Sequence, residues 1–107
     1  MMKSNLLNMK KSIAVALFLA FCGFNSQAQI RIACLGNSIT AGYGTSNSTT
    51  KSWPAQLGVM LGTDYSVLNC GVSGTTMLKK GDSPYWNTAK FADAKNFDPQ
   101  ILIISLG

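Results

Sequence analysis

From residue 30 onward, short apolar runs alternate with longer mixed segments, and the two kinds differ in period. Residues 30–35 are apolar and rich in β-branched types apart from Arg31, and they close on Gly36, which predicts a strand. Residues 37–52 are dense in Gly, Ser, Thr and Asn and predict a loop. In 53–61, Pro54 falls in a first turn while Trp53, Leu57, Met60 and Leu61 recur at helical spacing before Gly62, so a helix is expected. Residues 65–70 give a second strand, again running into Gly, and the loop 72–76 follows it. The composition of 79–84 is that of a turn. Residues 87–97 suit a second helix with Phe91, Ala92 and Ala94 inward, and Asp98-Pro99 breaks it. Residues 101–106 are apolar but for Ser105, as in a central strand covered by helices on both faces.

Strand, helix, strand, helix, strand is the order of a parallel α/β sheet with right-handed crossovers, here a three-layer α/β/α arrangement. The pattern reaches Gly107 at the carboxyl end of its third strand, so the expectation is of an amino-terminal part of such a domain, truncated after that strand. Ligands of parallel sheets bind at the carboxyl ends of the strands. Three such ends are present, at 36–40, 71–75 and 105–107, and all carry Gly.

The amino terminus changes the reading of charge. Lys3, Lys10 and Lys11 precede an uninterrupted apolar run, 13–22, followed by Ser26 and Ala28 at the spacing of a signal-peptidase site. A secretory signal peptide over 1–28, cleaved after Ala28, is expected, and with it a secreted or periplasmic product. The run is too short for a membrane span, which takes about 20 apolar residues. Cys22 offers a rival reading as a lipidated residue, but Phe21 stands where a small residue belongs. Across the whole chain the formal charge is +5; without those three lysines, six Lys and Arg face four Asp and no basic patch remains, so nucleic acid is not an expected partner.

Other chemistries are excluded by residue type. The chain has no His, so it holds no complete Ser-His-Asp or Cys-His site and no His-bearing zinc site. Cys34 and Cys70 lie in strand-like runs, and neighbouring parallel strands seldom offer disulfide geometry, so both are expected free, buried and inert. Nothing suggests a metal or any other cofactor. The Gly-rich segment 36–44 matches neither a dinucleotide fingerprint nor a phosphate loop. Trp53, Tyr85 and Trp86 suit either sugar stacking or core packing.

Three segments together carry a resemblance. Gly36-Asn37-Ser38-Ile39-Thr40 resembles block I of the SGNH hydrolases, the GDSL-type esterases with a flavodoxin-like fold. Asn69-Cys70-Gly71-Val72-Ser73-Gly74 is similar to block II, and Leu106-Gly107 resembles the opening of block III. Residues 53–57 and 80–86 resemble the secreted carbohydrate O-acetylesterase branch often labelled sialate O-acetylesterase. The resemblance implies Ser38 as nucleophile and oxyanion amide and Gly74 as a second oxyanion amide. It also implies an Asn from block III and a later Asp-His pair, none of which occurs here. Asn37 stands where the family name has Asp, keeping an acceptor and losing the charge. Gly81-Asp82-Ser83 spells that name but follows two lysines instead of a strand, so Ser83 is expected to be a turn residue.

The expectation is therefore a signal peptide, 1–28, followed by the amino-terminal part of an SGNH hydrolase domain, 29–107. The implied protein is a serine esterase that removes O-acetyl groups from carbohydrate through an acyl-enzyme at Ser38, its partner being a small-molecule or carbohydrate ester. The 107-residue chain by itself is expected to be inactive. Two alternatives stay open: a lysophospholipase or thioesterase of the same family, and a non-catalytic carbohydrate-binding protein of the same fold. Taken singly, Ser38 also suits a turn cap and Gly74 a tight turn.

Overall fold

A computed structural model describes residues 28–107. The basic start, the apolar run and Cys22 lie outside the described residues. Strand β1 (Ile30–Gly36) leads through two helical turns, α1 (Ser38–Ala41) and α2 (Ser48–Lys51), into helix α3 (Trp53–Leu61). Strand β2 (Tyr65–Gly71), a 3-10 turn (Tyr85–Asn87), helix α4 (Ala89–Asn96) and strand β3 (Ile101–Ser105) complete the order.

All three strands are parallel, in the spatial order β2-β1-β3. The register places Ile32 beside Val67, and Leu35 beside Cys70. Side chains alternate across a strand, so these two pairs lie on opposite faces. On the first face α3 packs through Gly58 against Val67. On the second, Ala33, Leu35 and Cys70 form the core with Tyr85 and Ala94, flanked by Leu68, Phe91 and Trp86. Helices thus cover both faces, the expected three-layer arrangement.

The described residues correct several expectations. The segment 37–52 is not all loop: the Asn37 and Asn47 side chains accept from the Ile39 and Thr49 N–H and initiate α1 and α2. Helix α4 starts two residues later than the pattern suggests, capped by Thr88, and Ala92 faces solvent while Ala94 is buried. Met60 and Leu61, at the end of α3, are exposed because that helix meets β2 through its earlier turns. Strand β3, by contrast, agrees with the expected truncation after it: among the described residues it pairs with β1 alone, and Ile101, Leu102 and Ile104 are exposed. Its entry is held by Arg31, whose N–H donates to the Gln100 side chain at 2.7 Å and whose Nε donates to the Asp98 carbonyl at 2.8 Å.

Cys34 and Cys70 are free and buried. Burial pushes the Cys34 thiol up to about 11, with the neighbouring Cys70 adding to the effect, and burial also raises Cys70. Neither has the thiolate character of a reactive cysteine.

Candidate active site

Gly36 ends the central strand level with Gly71 on one side and Ser105 on the other. The carboxyl ends of all three strands therefore stand side by side, and the segments leaving them form one rim. Ser38 is the first residue of α1, half-buried, two residues beyond Gly36. Its amide belongs to the first turn, where N–H groups have no intrahelical acceptor. Its carbonyl accepts from the Gly42 and Tyr43 N–H groups at 3.1 and 2.9 Å.

Helix α1 crosses the strand ends at close range, and this requires two glycines. A Cβ on Gly36 would collide with the Thr40 side chain, and one on Gly71 would lie 2.7 Å from the Ala41 Cα and the Thr40 carbonyl carbon. Such approaches are open only to residues without a side chain.

Polar bonds then fix the turn. Thr40 is fully buried, and its hydroxyl accepts from Trp53 Nε1 at 3.2 Å. Its carbonyl accepts from Asn69 Nδ2 at 2.8 Å, and the same Nδ2 reaches Ser52 Oγ at 3.2 Å. The Asn69 Oδ1 accepts from the Gly71 N–H at 2.9 Å. One amide thus ties the turn bearing Ser38, the start of α3 and the exit of β2 together. Sequence reasoning placed Asn69 in a motif without a role; the available signal was an amide following the apolar pair Val67-Leu68 inside a strand.

Gly74 lies three residues beyond β2, exposed, with φ of 78° and no atom within 4 Å of where a Cβ would sit. Its loop is closed by Thr75 Oγ1, which donates to the Val72 carbonyl at 2.7 Å. Next in the chain, Thr76 donates to the Ser83 carbonyl at 3.1 Å and accepts from the Tyr85 N–H at 2.9 Å. The structure brings Ser38 and Gly74 to adjacent strand ends, and no hydrogen bond joins them. Ser83 sits in a turn with φ of 49°, on the far side of that clamp, as expected.

The aromatic alternatives resolve toward packing. Tyr85 is fully buried, donates to the Cys70 carbonyl at 2.6 Å and is pushed up to about 12 by burial. Trp86 meets Tyr85 and Phe91 edge to face, and its Nε1 donates to the Met77 carbonyl at 2.6 Å. Trp53 serves Thr40.

Two clefts flank α1. One, of about 410 Å³, runs beside β2 between Ala55, Val67 and Lys90; the other, of about 560 Å³, lies under the 42–48 segment and reaches Ser73. Both include Ala41 and Ser48, and Ser38 lines neither. Among the described residues no cluster of His, Cys, Asp and Glu could hold a metal ion. No helix among them is long and apolar enough to cross a membrane.

The arrangement offers a serine hydroxyl with backbone amides at an open rim, the elements of acyl transfer apart from a base. Residues 34–107 match the GDSL-like Lipase/Acylhydrolase family. Over 78 residues the chain is 50% identical to an acetylxylan esterase of Xylanibacter ruminicola, a match covering 73% of this chain and 16% of the relative. No solved structure matches the chain.

Proposed function

The chain belongs to the GDSL-like lipase/acylhydrolase family, and on that premise we propose that it supplies the nucleophile and the backbone oxyanion donors of a carbohydrate acetylesterase. Ser38 Oγ attacks the acetyl carbonyl carbon, and the hydroxyl proton passes to a base. The Ser38 and Gly74 amides face the oxyanion that forms; a donor of this kind lowers the barrier by about 3 kcal/mol. Collapse breaks the ester bond, the sugar hydroxyl leaves with a proton, and acetyl stays on Ser38. Water then attacks this acyl-enzyme and releases acetate.

The observation that carries the reading is the common level of Gly36 and Gly71, which sets the Ser38 turn and the Gly74 loop at neighbouring strand ends. The sequence holds no His, so the base is supplied from outside these residues and the 107-residue chain alone does not turn over. The name of the relative supports an acetylated neutral polysaccharide as the substrate class ahead of sialate esters. Hydroxyl and amide side chains under the 42–48 segment favour a sugar over the apolar acyl groove of a lysophospholipase.

The test is a graft: the matched 78 residues replace their counterparts in the Xylanibacter ruminicola enzyme. Acetyl ester hydrolysis that survives the exchange and is lost with Ser38→Ala supports the proposal. A graft that folds and hydrolyses nothing supports the non-catalytic binder instead.

Export is part of the same proposal. The basic start, the apolar run and the Ser26 and Ala28 spacing support cleavage after Ala28 and a secreted or periplasmic product.

A further inference from the structure

The segment after α1 holds an aromatic ring away from the sheet. Gly42 and Gly44 have φ of 99° and 86°, and between them Tyr43 stands 80% exposed. Its backbone is fixed: the Tyr43 N–H donates to the Ser38 carbonyl at 2.9 Å, and the Thr45 N–H and Oγ1 both reach the Gly42 carbonyl, at 3.1 and 2.7 Å. A lone exposed aromatic needs no explanation. This one borders the 560 Å³ cleft, whose side chains include Thr45, Ser46, Asn47, Ser48 and Ser73.

The lining has a definite chemistry. It contains no Lys, Arg or Asp, so an anionic ligand meets no counter-charge. Apart from Tyr43 its larger side chains are hydroxyls and an amide, so an acyl chain meets little apolar surface. Hydroxyl and amide groups both donate and accept, as sugar hydroxyls do, and an aromatic face suits the C–H face of a pyranose. Ser73 adjoins Gly74 and Tyr43 is bonded to Ser38, so the cleft is bounded by both loops of the candidate site.

We infer that this cleft is a subsite for a neutral pyranose ring of the ester's alcohol portion, with Tyr43 as the stacking platform that selects it. The inference rests on the esterase reading for the identity of the ligand, and its test keeps the two apart. Tyr43 acts on specificity and touches no reacting atom.

The experiment is an amide-resolved NMR titration of the 107-residue chain with xylotriose, and separately with sialic acid. Xylotriose is expected to shift resonances in 42–48 and at Ser73, and sialic acid to leave them in place. Tyr43→Ala should weaken xylotriose binding about tenfold or more, while Tyr43→Trp should retain it. Unchanged affinity in Tyr43→Ala, shifts centred elsewhere, tighter binding of sialic acid, no binding, or a spectrum without native dispersion would each overturn the inference. In the graft, Ser38→Ala should abolish hydrolysis and leave xylotriose binding intact. Sugar binding without Ser38-dependent hydrolysis sinks the esterase reading alone, and hydrolysis without sugar binding sinks the subsite alone.

Discussion

Asn69 Nδ2 donates to the Thr40 carbonyl at 2.8 Å, across 29 positions of sequence. Through this bond a residue of β2 sets the height of the turn that carries Ser38, while its Oδ1 holds the Gly71 N–H and so the start of the Gly74 loop. An Asn69→Leu substitution would leave the Thr40 carbonyl, Ser52 and the Gly71 N–H without their partner. A loss of about 2–4 kcal/mol is expected, from desolvated groups worth about 1–3 kcal/mol each. Urea unfolding of the chain checks it. In the graft, Asn69→Asp should retain the Gly71 bond, lose the Thr40 bond and lower kcat more than it raises KM.

Gly71 and Gly74 should respond differently to the same change. Gly71→Ala puts a methyl against the backbone of Ala41 and Thr40, which cannot yield without moving α1, and a cost above about 3 kcal/mol is expected. Gly74→Ala meets open space and suffers only from its φ of 78°, at about 1–2 kcal/mol. Thermal unfolding of the two variants should rank them in that order.

Alkaline pH should weaken the fold. In the folded chain the Cys34 thiol is raised from its ordinary 9.0 to about 11 and the Tyr85 phenol from 10.0 to about 12, both chiefly by burial. Below pH 9 the folded and unfolded chains hold these protons alike. Above it the unfolded chain releases them first, so stability falls as pH rises from 9 toward 12. Urea midpoints measured across that window check the direction. Thiol reagents should label Cys34 and Cys70 slowly until the chain unfolds.

Much of this architecture is legible in the sequence, for identifiable reasons. The strands are short apolar runs that each meet Gly at or just past the end, and Pro54 and Gly62 bracket α3, so period and punctuation agree. Helices α1 and α2 are not legible, because four residues are too few to show a helical period and only the Asn37 and Asn47 caps announce them. The exposure of Ala92 beside buried Ala94 depends on how α4 is rotated, which a short helix with few apolar positions leaves open. Ser38 and Gly74 are singled out by motif alone; the bonds among Thr40, Asn69 and Ser52 that fix the neighbouring turns join segments far apart in the chain and carry no local pattern.

Export has a direct readout. Expressed in a bacterial host and recovered outside the cytoplasm, the product should begin at Gln29, the residue after the Ala28 site. A terminus at a lipidated Cys22 would contradict this.

In the proposed acetylesterase, Ser38 carries the acyl group. Peptide mass spectrometry of the graft, acid-quenched during turnover of an activated acetyl ester, locates that group. Acetyl is expected on the peptide containing Ser38, abolished by Ser38→Ala and unaffected by Ser83→Ala. Acetyl on Ser83, or turnover that persists in Ser38→Ala, would contradict it.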